Sequence, residues 1–310
     1  MKPKCLFYFQ NTLKDNKSGS STITGKIIRD FDHWFSENTL VVKSDLLQVS
    51  KSIFNVFPNF AVLFHFLNQL LLFIETLPEE IPADKLQGFL SDYRSEWKNT
   101  TKKAAQNFLE EINIKTSNIL LHSNSSAVLE IFKETDKREC NIWQTVSSPA
   151  NEGILQAENL SSLGFKVNLI HENEIWLFEK MFDMVILGTD LITNEFFINK
   201  TGSRSIGLLK KPLYLISESR KVINEEVITP KLFKMLTSEK CKPSEELYNG
   251  KDERIKVYNL YFEQTPLDVV KGIITEKGMF KPWEVMNKTA AFQRLSGYWK
   301  TNSMHNNKFS

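Results

Sequence analysis

The sequence predicts an α/β protein in which an N-terminal helical domain precedes a parallel-sheet domain. Three observations carry the prediction. Apolar residues recur at helical spacing through residue 113, from Asn118 they gather into short continuous runs, and helix-length segments separate most of those runs. Apolar strands alternating with helices indicate a parallel sheet covered on both faces.

In the helical half, Ile27, Phe31, Trp34 and Phe35 fall on one helix face. A second stripe runs through Leu86, Phe89, Leu90, Tyr93, Trp97, Ala104, Ala105, Phe108, Leu109 and Ile112, with Lys98, Lys102, Lys103, Glu110 and Glu111 off it. Aromatics on such stripes read as packing. Pro78 and Pro82 bracket a polar connection between two helical regions. The most apolar region, from Ile53 to Ile74, is interrupted by Asn55, Pro58, Asn59, His65, Asn68 and Gln69. A membrane span needs about 20 predominantly apolar residues, so this region reads as a buried helix and no membrane partner is expected. The N-terminal run from Leu6 to Phe9 is too short for a signal-peptide core.

The strand half follows in order: Ile119 to Leu121, Ile142 to Val146, Val167 to Ile170, Met184 to Leu187, and Leu213 to Ile216. The expected organisation is a helical domain over 1–113, an α/β domain over 114–300, and a polar tail over 301–310.

Composition narrows the function classes. A formal net charge of +2 supplies no basic field for a nucleic-acid backbone. Cys5, Cys140 and Cys241 are odd in number and far apart, so neither a disulfide framework nor a Cys-x-x-Cys motif is present. That pattern fits a reducing, cytoplasmic location. No glycine-rich dinucleotide fingerprint, Walker loop, His-Glu-x-x-His or Gly-x-Ser-x-Gly occurs, and the five histidines lack ligand spacing. No cofactor and no metal are expected.

Ligands of open parallel sheets bind beyond the carboxyl ends of the strands. The first run is followed by His122-Ser123-Asn124-Ser125-Ser126 and then a helix, which offers hydroxyls and free amides to an anion. The same residues also serve as plain N-caps. The fourth run leads to Gly188-Thr189-Asp190 and then Ile198-Asn199-Lys200-Thr201-Gly202. Asp190 can face the crevice, Asn199 can bind sugar hydroxyls and Lys200 can meet a phosphate, unless Asp190 caps a turn and Lys200 is solvated. The fifth run ends in Ser217-Glu218-Ser219-Arg220-Lys221. Thr265-Pro266-Leu267-Asp268 has the form of a helix start, with Thr265 as N-cap.

Taken in order, these strand ends, with Phe262-Glu263-Gln264-Thr265-Pro266 and Ile273-Ile274-Thr275-Glu276, resemble the superfamily of translation initiation factor 2B alpha/beta/delta subunits. That superfamily also contains aldose–ketose isomerases for methylthioribose 1-phosphate and ribose 1,5-bisphosphate. The resemblance runs over residues 25 to 288. It implies a Rossmann-like second domain, assembly as a homo-oligomer or with related subunits, and a crevice for a phosphorylated sugar or nucleoside monophosphate. It also implies that the residues at Asp190 and at position 123 carry the isomerase chemistry, and that Asn199 and Lys200 line the pocket. The expected ligand set is Ser123, Asn124, Ser125, Ser126, Asn199, Lys200 and Lys221.

The chain departs from the enzymes at three places. Position 123 is Ser rather than Cys, Val146-Ser147-Ser148-Pro149 replaces Glu-Ser-Arg-Pro, and Trp176 stands where relatives are small. Moving a proton between sugar carbons needs a group that titrates near working pH, which a thiol can be tuned to do and an alcohol cannot without an activating base. The expectation is a non-catalytic, initiation factor 2B-like ligand-binding protein acting through subunit contacts. An aldose–ketose isomerase using Asp190, and an assembly subunit with a vestigial crevice, are the alternatives.

Overall fold

The stripe of Ile27, Phe31, Trp34 and Phe35 becomes the buried face of a helix, Ser20–Ser36. The computed structural model describes residues 4–15, 19–135, 139–239, 241–250 and 252–300. The tail expected over 301–310 lies outside the described residues. Chain contacts divide the protein into two compact units.

The first unit runs to Lys98 and adds Glu225–Leu236 and the segment from Phe292. It holds helices α1 (Gln10–Leu13), α2 (Ser20–Ser36), α3 (Lys43–Val56), α4 (Ala61–Ile74) and α5 (Ala83–Glu96). Strands β1 (Leu40–Val42) and β2 (Glu80–Pro82) form an antiparallel pair. α4 is buried along most of its length, and two of the polar residues that interrupt its apolar run, His65 and Asn68, are buried and hydrogen-bonded. The His65 ring pairs with the Tyr93 hydroxyl at 3.0 Å. Asn68 donates to the Arg294 carbonyl at 2.8 Å and accepts the Ser296 amide at 2.9 Å. Phe292 and Trp299 pack on Phe64 and Phe54. Residues 292–300, grouped by sequence with the sheet domain, therefore belong to the helical unit. No helix among the described residues is long and apolar enough to cross a membrane.

The second unit spans Asn99–Asn224 and Thr237–Ala291. It contains α6 (Thr100–Glu111), α7 (Ser126–Lys133), α8 (Glu152–Ser162) and α9 (Ser203–Gly207). α11 (Pro282–Thr289) also lies in it, whereas α10 (Pro230–Thr237), apart from its last residue, and α12 (Gly297–Lys300) lie in the first unit. The boundary falls between Lys98 and Asn99 rather than at residue 113. The reason is packing: Ala104, Ala105 and Phe108 of α6 are buried with Ile119, Leu121, Tyr214 and Ile274 of the sheet.

All five apolar runs are strands: β3 (Asn118–His122), β4 (Asn141–Thr145), β5 (Lys166–Ile170), β6 (Met184–Leu187) and β9 (Leu213–Ile216). With β11 (Gly272–Thr275) and β12 (Gly278–Phe280) they form one sheet, ordered β12-β11-β9-β6-β3-β4-β5 and parallel except for β12. Alternation along the strands divides the core in two. Ile119, Leu121, Ile186, Tyr214 and Ile216 face one layer, and Leu120, Val185, Leu187 and Leu215 face the other. β3, β6 and β9 are buried on both faces and have no polar side to show, which is why they read as continuous apolar runs, whereas the edge strand β5 is largely exposed.

Strands β7 (Leu191–Ile192), β8 (Phe196–Lys200) and β10 (Phe262–Pro266) form a separate antiparallel sheet. The helix start expected at Thr265 does not form. Thr265 pairs with Phe197 in the β10–β8 ladder, and Leu267–Val269 makes only a short turn. Ladder pairing overrides the local capping pattern there.

β4 and β5 lie to one side of β3, while β6, β9 and β11 lie to the other. The chain reverses its order at the β3/β6 boundary, where His122 is level with Leu187. That switch point is where open parallel sheets place their ligand crevice.

Candidate functional site

Beyond β3, Ser123 takes a left-handed conformation (φ 67°) that turns the chain toward α7. A hydrogen-bond relay holds it. The buried His122 ring donates from Nε2 to the Thr201 carbonyl at 3.0 Å, because a carbonyl can only accept. Burial pushes the His122 pKa down to about 4, so the ring is neutral and Nδ1 accepts from the Thr145 hydroxyl at 2.7 Å. Ser147 Oγ is hydrogen-bonded to Thr145 Oγ1 at 2.9 Å and accepts the Ser123 amide at 2.8 Å. Ser147 Oγ also lies 3.2 Å from the Thr145 carbonyl, and the relay ties the ends of β3, β4 and β8 together.

The Ser123 hydroxyl donates to Glu152 Oε1 at 3.1 Å. Glu152 opens α8, and its carboxylate receives Lys200 Nζ at 3.0 Å and 3.1 Å. The ammonium also lies 4.5 Å from the centre of the Tyr261 ring. Gly153 makes this approach possible. A Cβ there would stand 1.9 Å from the Thr145 carbonyl oxygen, so only glycine lets α8 start against β4.

The remaining expected residues take varied positions. Asn199 is buried and donates to Ser203 Oγ at 2.9 Å, which donates to the Lys200 carbonyl at 2.7 Å. Lys221 donates to the Thr189 carbonyl at 2.7 Å and so ties the β9 end to the β6 end. The Asp190 amide donates to the Ile198 carbonyl at 2.8 Å, and its side chain is partly exposed. Ser125 caps α7 through the Val128 amide and packs against Gly188. Asn124 and Ser126 are exposed on the turn. The capping reading of this turn thus holds for Ser125.

Three carboxylates were not among the expected site residues, although Glu263 lies in one of the quoted strand-end motifs. Besides Glu152, Glu172 accepts the Ser148 amide at 2.7 Å, and Glu263 accepts the Gly202 and Arg204 amides at 2.7 Å and 2.9 Å. The Glu152-Gly153 pair after the second apolar run was the available signal, since a glycine in a helix first turn marks close backbone approach. Trp176 is exposed rather than directed into the core. At the β9 end, Glu218 is buried with Arg220 and accepts the Thr100 hydroxyl at 3.1 Å. Burial would push its carboxyl up, but Arg220 and Lys221 outweigh that and hold it below the usual range. Among the described residues, no group of three or more His, Cys, Asp or Glu side chains is arranged to hold a metal ion.

Residues 26–282 match the initiation factor 2 subunit family. The chain is 28% identical over 229 residues to ribose 1,5-bisphosphate isomerase of Methanocaldococcus jannaschii, covering 69% of this chain and 72% of that one. It is 31% identical over 172 residues to a translation initiation factor 2B subunit 2-like protein of Pyrococcus furiosus, covering 53% of this chain and 58% of that one. Among solved structures, translation initiation factor 2B of Pyrococcus horikoshii OT3 superposes with a TM-score of 0.73 at 22% identity, over 91% of this chain and 98% of that one. The last likeness concerns the fold alone.

Proposed function

The chain belongs to the initiation factor 2 subunit family, and from that premise we propose that it is a non-catalytic member. It binds a sugar phosphate or nucleoside monophosphate at the switch-point crevice and acts through subunit contacts. One observation carries the reading. The group at position 123 is an alcohol, and the carboxylate that receives its hydrogen already serves as the ion-pair partner of Lys200. An alcohol so placed is held in position but is not supplied with an uncommitted base. Ligand-binding groups remain at the strand ends while the thiol of the isomerases does not.

Surface chemistry supports the subunit contacts. The edge strand β5 exposes Leu169, and the flanking segments expose Leu155, Trp176, Leu177 and Met181. A sheet edge with this much exposed apolar surface is ordinarily covered by another chain.

A second reading is an aldose–ketose isomerase, favoured by the likeness to a named isomerase and by the 3.1 Å contact from Ser123 to Glu152. Asp190 would carry the proton in that reading. Thermal unfolding against methylthioribose 1-phosphate, ribose 1,5-bisphosphate, fructose 6-phosphate and AMP tests the proposal. A ligand at a hundred times its dissociation constant stabilises by about 2.7 kcal/mol, a rise on the order of 2 °C per kcal/mol for a chain of this size. The expected result is a shift with one compound, lost in Lys200→Ala, and no turnover of it. Flat curves across the panel sink the binding function, and turnover abolished by Asp190→Asn replaces it with the isomerase.

A further inference from the structure

Lys200 is fully buried and its ammonium group is engaged from within the chain. Both oxygens of Glu152 lie within hydrogen-bond distance of Nζ, at 3.0 Å and 3.1 Å, and the face of Tyr261 lies beside it. Tyr261 is itself held, with its hydroxyl donating to Glu246 at 2.6 Å. Solvent reaches this pair from one side only: the Glu152 side chain is 25% exposed and that of Lys200 is 0% exposed. An anion approaching Lys200 therefore meets a carboxylate first.

The neighbouring donors are engaged in the same way. The Gly202 and Arg204 amides already hold Glu263, and the Ser148 amide already holds Glu172. Three sets of donors around the crevice each carry a carboxylate supplied by the chain.

We infer that Glu152 sets the ligand chemistry of this corner. It fills the anion position on Lys200, so that Ser123, Glu152 and Lys200 together receive a neutral sugar hydroxyl and exclude the phosphate. The inference rests on the sugar-phosphate reading above and states which end of such a ligand meets Lys200. A hydroxyl donates to the Glu152 carboxylate and leaves the ion pair whole. A phosphate must break a buried ion pair and stand beside an ionised carboxylate, and both are unfavourable. Glu152→Gln keeps the side-chain volume and an acceptor for Ser123 while removing the charge.

The test is a calorimetric titration of wild-type, E152Q and E152Q/K200M proteins with inorganic phosphate and with ribose. E152Q is expected to bind phosphate about tenfold tighter than wild type or better, with the gain absent from the double variant and ribose affinity changed far less. Equal phosphate affinity in wild type and E152Q overturns the inference. Because E152Q leaves a buried ammonium unpaired, its unfolding midpoint is followed as well. A lowered midpoint that phosphate restores supports the inference, and one that phosphate does not move overturns it. Glu152→Ala gives a second route, since the space left by the carboxylate admits phosphate; a midpoint that does not rise with phosphate again overturns it. The two readings separate cleanly. A wild-type protein that binds a sugar phosphate, with E152Q no better for phosphate, keeps the binding function and removes this role for Glu152. Flat wild-type curves with a phosphate gain in E152Q do the reverse.

Discussion

Two ion pairs, Glu218–Arg220 just beyond β9 and Glu152–Lys200 between the start of α8 and the end of β8, differ in what water can reach. In Glu218–Arg220 both side chains are sealed, 3% and 10% exposed, and Thr100 closes the carboxylate from a third side. In Glu152–Lys200 the cation is sealed and the anion is not. A pair sealed on both sides can only hold the fold, because either charge left alone has no solvent to turn to. When one member reaches water, the pair can exchange partners, and a ligand can take part in the exchange. The second arrangement lies at the switch point of the sheet and the first one lies a strand away.

The largest expected effect tests the sealed pair. Arg220→Met strands the Glu218 charge and should lower stability by about 3–5 kcal/mol, measured by chemical denaturation. The double variant E218Q/R220M should recover most of that loss. A single variant that costs under about 1 kcal/mol breaks the comparison, because the pair would then behave as a surface one.

The neutral His122 relay comes next. Its folded pKa of about 4 lies below the ordinary histidine value of about 6.5. Between those values the unfolded chain binds a proton that the folded chain refuses, so stability falls as pH falls through that window and is full above it. The expected loss from this group is on the order of 3 kcal/mol. His122→Gln should flatten the stability profile between about pH 6.5 and 4 while leaving the separate loss at lower pH that protonation of the paired Glu218 brings. A variant with an unchanged profile would show that His122 is not the group responsible.

Lys200→Met should cost less than Arg220→Met, about 1–2 kcal/mol, because the stranded Glu152 can be hydrated. Equal costs for the two variants would erase the distinction between the pairs. At the far end of the series stands Arg254–Asp252, whose arginine is 89% exposed. Arg254→Ala should leave the unfolding midpoint unchanged, and a measurable drop would mean that exposure does not order these pairs.

Much of this fold was legible in the residues. All five apolar runs are strands, and β3, β6 and β9 are so legible because a strand buried on both faces admits no polar position, which leaves a mark in a single segment. The strand ends were legible for the same reason, since polarity begins where the cover stops. Two boundaries were not. The stripe from Leu86 continues past Trp97 into Ala104 and Phe108, so periodicity has no break at Asn99, where the compact units divide. Thr265-Pro266 carries the local chemistry of a helix cap and is nevertheless a strand, because its partner in β8 is far away in sequence.

The candidate site divides in the same way. Ser123, Asp190, Asn199 and Lys200 follow apolar runs and were marked by that position. Glu152 was not, because an acid in the first turn of a helix is commonplace and needs no partner to explain it. Periodicity and strand-end polarity are local properties, and by themselves they determined the helical stripes, the five apolar strands and the parallel sheet. The pairing of Glu152 with Lys200, 48 residues apart in the chain, was decided only by the tertiary structure. Two charges find each other through space, when the ends of β4 and β8 are folded to one edge, and no spacing along the chain records that distance.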